Sequence, residues 1–165
     1  YFKLDKHVDF VNIGKNSQVC ATIYRNDHKP QPGLISQTFT SSGSAINAAY
    51  YMINEVANGG YLGDDGKIEK IHARFKANLI KLNQKYPDLI EGPWGIGAMV
   101  GMTIYKGDAT KSKDFTLQLF KNGVLSFIAG ASPTRVRFLV PAGGVELEDI
   151  DKVCEIIETT LNECK

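Results

Sequence analysis

Three side chains of this 165-residue sequence could do chemistry. Lys15 ends the apolar run Val8-Asp9-Phe10-Val11-Asn12-Ile13-Gly14 and is followed by Asn16-Ser17-Gln18-Val19-Cys20. A lysine delivered by a buried strand, between a glycine and small polar residues, can be held away from water. Such an amine loses its proton more readily and becomes a nucleophile able to form a Schiff base. Thr38, in Gln37-Thr38-Phe39-Thr40, offers a hydroxyl. Arg137 lies in Thr134-Arg135-Val136-Arg137-Phe138-Leu139-Val140-Pro141, where Arg135 and Arg137 share one face of a strand. An arginine fork matches a carboxylate better than any other side chain. Read alone, each has an ordinary alternative: a solvated charge at a strand end, a turn threonine, an arginine facing water.

These residues need elements to position them. Residues 8–13 and Val19 to Tyr24 read as short strands, joined onward by the polar, proline-rich stretch Arg25 to Gly33. Leu34 to Thr40 leads into Ser41-Ser42-Gly43-Ser44, a helix N-cap cluster. From Ala45 the period turns helical, with Ala45, Ala49, Met52, Ile53 and Val56 on one face, and Asn58-Gly59-Gly60 stops it. Asp64-Asp65-Gly66 opens a second helix with the stripe Ile68, Ile71, Phe75, Leu79 and Leu82, ended by Pro87. Trp94 to Tyr105 alternates and predicts one strand. A helix over 111–122 closed by Gly123, strands over 124–128 and 136–140, and a helix over 147–164 complete the chain. Glu146, Glu148 and Asp149 suit the positive N-terminal end of that last helix. The pattern predicts a small sheet covered by helices on one side.

Composition narrows the function classes. Apolar residues make up 43% of the chain, enough for a core. Nineteen basic residues against 18 acidic ones, a formal charge of +1, give no reason to expect nucleic acid or an anionic membrane as partner. No apolar run approaches the roughly 20 residues of a membrane helix. Cys20, Cys154 and Cys164 fit neither a disulfide framework nor a zinc spacing, and His7, His28 and His72 stand apart, so no metal site is expected and a reducing, cytoplasmic setting is. Gly95-Ile96-Gly97 with Gly101 lies inside an alternating strand rather than at a strand-to-helix turn. It therefore reads as close backbone packing, not a nucleotide loop.

Taken in order, the segments resemble the C-terminal portion of the class III aminotransferases, enzymes of the type I fold that use pyridoxal phosphate. The resemblance runs along essentially the whole chain. Asp9 to Lys15 is similar to the strand carrying the cofactor lysine, and Lys15 to Cys20 to the loop of the lysine 6-aminotransferase branch, whose relatives use acetylornithine, ornithine or 4-aminobutyrate. Gln37-Thr38-Phe39 is similar to the segment whose threonine reaches the cofactor phosphate of the neighbouring subunit. Glu91 to Met99 is similar to the family's RG-x-GLM opening of the small domain, and Val136-Arg137-Phe138 with Pro141 to its IRF-x-PP strand, whose arginine binds a substrate carboxylate. The chain departs from the family at Asn16-Ser17-Gln18, where a glycine-rich loop is usual, at Thr40-Ser41-Ser42-Gly43, and in keeping one proline after Arg137.

The resemblance implies an α/β enzyme whose C-terminal part is an α+β domain. Residues 1–44 would be the tail of the cofactor-binding large domain and 45–165 the small domain with its linking helix. It implies pyridoxal 5'-phosphate bound to Lys15 and Thr38, a carboxylate on Arg137, amino-acid and 2-oxo-acid substrates, and a homodimer. The family's other cofactor contacts would precede Tyr1, so the chain reads as a piece of a longer protein that would be inactive alone. The alternative is a non-catalytic binding or assembly domain, or a decayed homologue.

Overall fold

Alternating apolar residues in the second half of the chain build a four-stranded sheet, and helical stripes cover one of its faces. The computed structural model describes residues 3–34 and 42–164, in two units, Tyr1–Gly59 and Gly60–Lys165.

In the first unit, β1 (Phe10–Ile13) pairs antiparallel with β2 (Ala21–Tyr24), with Phe10 opposite Tyr24 and Ile13 opposite Ala21. A 3-10 turn over Lys15–Ser17 lies in the connection. Arg25 ties the ribbon to the preceding segment, its guanidinium donating to the carbonyls of Val8 and Asp5, each at 3.0 Å. Helix α1 (Gly43–Asn58) also belongs to this unit. It starts where the serine cluster predicts: the Ser42 hydroxyl accepts from the Ala45 amide at 3.2 Å, satisfying one of the free N–H groups of the first turn.

The second unit runs α2 (Lys67–Lys85), β3 (Ile90–Ile96), β4 (Met99–Ile104), α3 (Ala109–Lys121), β5 (Phe127–Ala129), β6 (Arg135–Leu139) and α4 (Leu147–Glu163). The sheet order is β3-β4-β6-β5 and every pairing is antiparallel. Ile71, Phe75, Leu79 and Leu82 of α2, Phe115 and Leu119 of α3, and Ile150, Cys154, Ile157 and Leu161 of α4 form one buried cluster with Ile90, Val100, Met102, Ile104, Val136 and Phe138 of the sheet. Each such large side chain contributes about 1.5–3 kcal/mol on leaving water. Helix α4 opens on a capping box, in which the Glu146 amide donates to Asp149 Oδ2 at 3.0 Å and the Glu146 side chain accepts in return.

One expectation fails. Residues 94–105 are not a single strand but the end of β3, a tight turn at Gly97-Ala98, and β4. Gly95 takes φ +111° and Gly97 φ +59°, conformations that favour glycine. A Cβ on Gly95 would run into the Met99 carbonyl oxygen. The apolar alternation carries straight across this turn, so periodicity cannot see it. As a result Ile96, opposite Met99, faces away from the helices, whereas Val100, Met102 and Ile104 face them.

Candidate active site

Lys15 has the backbone signature of a constrained position. Gly14 before it is extended, at φ −179°, and Lys15 itself takes φ +60°. A non-glycine residue in the left-handed region costs on the order of 1 kcal/mol or more and is worth a functional question. The turn is fastened by the Gln18 amide donating to the Lys15 carbonyl at 2.9 Å and by the Ser17 hydroxyl donating to the Val19 carbonyl at 2.7 Å. Within the same unit α1 packs against this turn. Among the described residues, the Lys15 amine has no hydrogen bond and no ion pair.

The sequence predicts a buried strand delivering this lysine, and the structure differs. Phe10, Val11, Ile23 and Tyr24 of the ribbon are exposed, and so is Lys15. A two-stranded ribbon buries neither of its faces by itself. No low-dielectric wall within the described residues shields the amine. Thr38, the second predicted site residue, lies outside the described residues.

Arg137 belongs to the second unit, on the face of the sheet that points away from α2, α3 and α4. Strand alternation sends Val136 and Phe138 into the core and Arg135 and Arg137 outward. The register then fixes their neighbours. Arg137 stands opposite Gly101 of β4 and Phe127 of β5, and Arg135 opposite Thr103 and Ala129. Gly101 also stands opposite Trp94 of β3, so no side chain separates Trp94 from the arginine strand. Across that gap the Arg135 guanidinium lies over the Trp94 ring, 5.4 Å from its centroid. The ring is held by its Nε1–H donating to Thr103 Oγ1 at 3.0 Å. The Nε atoms of both Arg135 and Arg137 are buried without a partner, and among the described residues neither side chain makes an ion pair or hydrogen bond.

The structure therefore places Lys15 in one unit and gathers Arg137, Arg135, Trp94 and Thr103 on one sheet face in the other. The sequence shows that the two arginines share a face. It does not show the Trp94–Thr103 support, because that contact needs the β3–β4 register. Among the described residues no group of three or more His, Cys, Asp and Glu side chains is arranged to hold a metal ion. Chemically, the sheet face offers guanidinium donors beside the apolar surfaces of Trp94 and Phe127, a setting that strengthens binding to carboxylates.

No protein-family model and no curated protein matches the chain. Solved structures do. Lysine aminotransferase from M. tuberculosis in the internal aldimine form superposes with a TM-score of 0.80 at 20% identity, over 99% of this chain and 37% of that one. Acetylornithine aminotransferase from Elizabethkingia anophelis gives 0.68 at 24% identity, over 81% of this chain and 32% of that one. Ornithine aminotransferase from Plasmodium yoelii gives 0.66 at 20% identity, over 82% and 34%. The chain thus spans about a third of the length of the proteins it matches. It has the α+β fold of the C-terminal portion of the aminotransferases.

Proposed function

We propose that this chain is the C-terminal part of a pyridoxal-phosphate-dependent aminotransferase. It would move an amino group, a terminal one as in acetylornithine, ornithine, lysine or 4-aminobutyrate, to 2-oxoglutarate. The carrying observation is a fold shared along nearly the whole chain with lysine aminotransferase, on which the lysine and arginine motifs occur in the family's order. Two features of the site residues support the reading. Among the described residues, Lys15 is an amine without a partner on a left-handed backbone, and Arg137 is a guanidinium with an unpartnered buried Nε.

In this scheme Lys15 would hold the cofactor through its ε-amino group, and Thr38 would donate to the cofactor phosphate of a neighbouring subunit in a homodimer. The cofactor, when bound, spreads negative charge away from the carbon that loses its proton. The chain's own residues supply the rest. The Lys15 amine, once released, takes that proton and returns it one position further on, as general base and then acid. Arg137 grips a substrate carboxylate with two parallel N–H donors and so fixes which bond faces Lys15. A cytoplasmic location fits the free thiols of Cys20, Cys154 and Cys164.

Borohydride reduction of the full natural protein, followed by peptide mapping, tests this. The expected result is visible absorbance from bound cofactor and a covalent pyridoxyl adduct on the Lys15 peptide. K15A is expected to lose the adduct and at least about 10²-fold in turnover. An adduct that survives K15A refutes the anchor assignment. A protein that neither binds the cofactor nor transfers an amino group favours the non-catalytic alternative.

A further inference from the structure

Arg135 has no role in the scheme above, yet it shares the defining feature of Arg137. Each carries an Nε–H that is buried and, among the described residues, meets no acceptor. An unsatisfied buried donor is unfavourable, and one on a charged group more so. The acidic side chain that the register brings to this face, Glu91 opposite Thr103, forms no ion pair with either arginine. Their strand partners on β5, Phe127 and Ala129, offer no side-chain acceptor. Among the described residues nothing supplies these acceptors, and a bound anion would.

Three observations describe that ligand. Alternate residues on a strand lie about 7 Å apart, so two guanidiniums on one face serve two separate anionic groups more easily than one. Arg135 is stacked on Trp94, itself held by Thr103, and stacking uses the flat face of a guanidinium while leaving its N–H edge open. A planar fork matches a planar carboxylate in paired hydrogen bonds. We propose that Arg135 is a second carboxylate-binding residue beside Arg137, and that this sheet face takes a short dicarboxylate with one carboxylate on each guanidinium. Arg135 then distinguishes acceptors with two carboxylates from those with one. The assignment of the dicarboxylate as amino acceptor rests on the function proposed above; the binding itself does not.

Calorimetric titration of the full protein with glutarate and with butyrate, which differ by one carboxylate, tests the site without turnover. Glutarate is expected to bind about 10- to 100-fold more tightly than butyrate. R135Q is expected to abolish that preference by weakening glutarate alone, and R137Q to weaken both ligands. R135K keeps the charge and the stem over Trp94, and is expected to lose part of the preference; it replaces R135Q should the latter fail to fold. Equal binding of the two ligands, no binding of either, or a preference that survives substitution of Arg135 overturns the inference. Amino-transfer assays on the same samples separate the outcomes. Transfer without an Arg135-dependent preference leaves the function standing and removes this site, and the predicted binding without transfer does the reverse.

Discussion

Cys154 converts burial into a measurable pH dependence. It lies on α4 within the core and is 5% exposed. Burial pushes its thiol from the ordinary 9.0 up to about 12. A hydrogen bond from Asn78 opposes the shift, and the nearby charges of Asp151 and Glu155 add to it. The folded thiol therefore keeps its proton at pH values where the unfolded thiol has lost it. Between 9.0 and about 12 the native state binds more protons than the unfolded state, so stability falls as pH rises. The slope is about 1.4 kcal/mol per pH unit for one group. At about pH 10.5, 1.5 units above the unfolded value, the penalty comes to about 2 kcal/mol, whereas near pH 8 it is close to zero. Cys154→Ala removes the titrating group. Near pH 8 it should cost about 1 kcal/mol for the lost packing of the sulfur. Near pH 10.5 that cost should vanish or reverse, leaving the variant as stable as the parent or more so. Urea unfolding of both proteins at the two pH values, with reductant present, gives the comparison. Lysines and tyrosines also titrate in this range, but they are common to both proteins and cancel in the difference. A gap between parent and variant that is the same at both pH values would show that the thiol ionises freely in the folded protein, and would refute the reasoning.

The remaining predictions concern stability and are checked by the same unfolding measurement. Leu79→Ala, at a fully buried position of α2, should lose about 2–5 kcal/mol with little change in the denaturant slope. Asp108 caps α3 by accepting from the Lys111 amide at 2.8 Å. Asp108→Ala should cost about 1 kcal/mol, while Asp108→Asn, which keeps the acceptor, should cost much less.

How much of this was legible in the sequence depended on whether a residue's role is local. Helix α2 could be read from Ile71, Phe75, Leu79 and Leu82 because a 3.6-residue period puts them on one face, and all four are buried. Ser42 acts on an amide a few positions away and could be read within a cap cluster, whereas Glu146 and Asp149 could be read only as charges suiting the helix N-terminus and the structure adds their capping box. The end of α3 was partly legible. Gly123 takes φ +93°, and the Val124 amide bonds back to the Leu119 carbonyl at 2.8 Å. That closing motif uses up Val124, so β5 starts at Phe127 and not at 124. The β3–β4 turn was invisible because its residues continue the alternation. At the candidate site, no residue type in the sequence marks Lys15 as the position that adopts the left-handed conformation. The stack of Arg135 on Trp94 joins β6 to β3 across β4, so it exists only once the sheet register is set.

Strand β6 divides two tasks between its faces. Val136 and Phe138 are buried, and Phe138 packs on Phe75 with ring centroids 5.2 Å apart. These two side chains bind the strand to the helices. Arg135 and Arg137 contribute nothing to that attachment, and each leaves a buried donor unsatisfied, at a cost of about 1–3 kcal/mol. A valine or threonine at either position would remove the cost, suit a strand better, and leave the inner face untouched. A purely structural role thus accounts for the inward residues of β6, reaches Arg135 only through its stack on Trp94, and gives none to Arg137. In the dicarboxylate site proposed above an anion supplies the missing acceptors, and it is the sheet, stabilised from its other face, that keeps the two donors in place before the anion arrives.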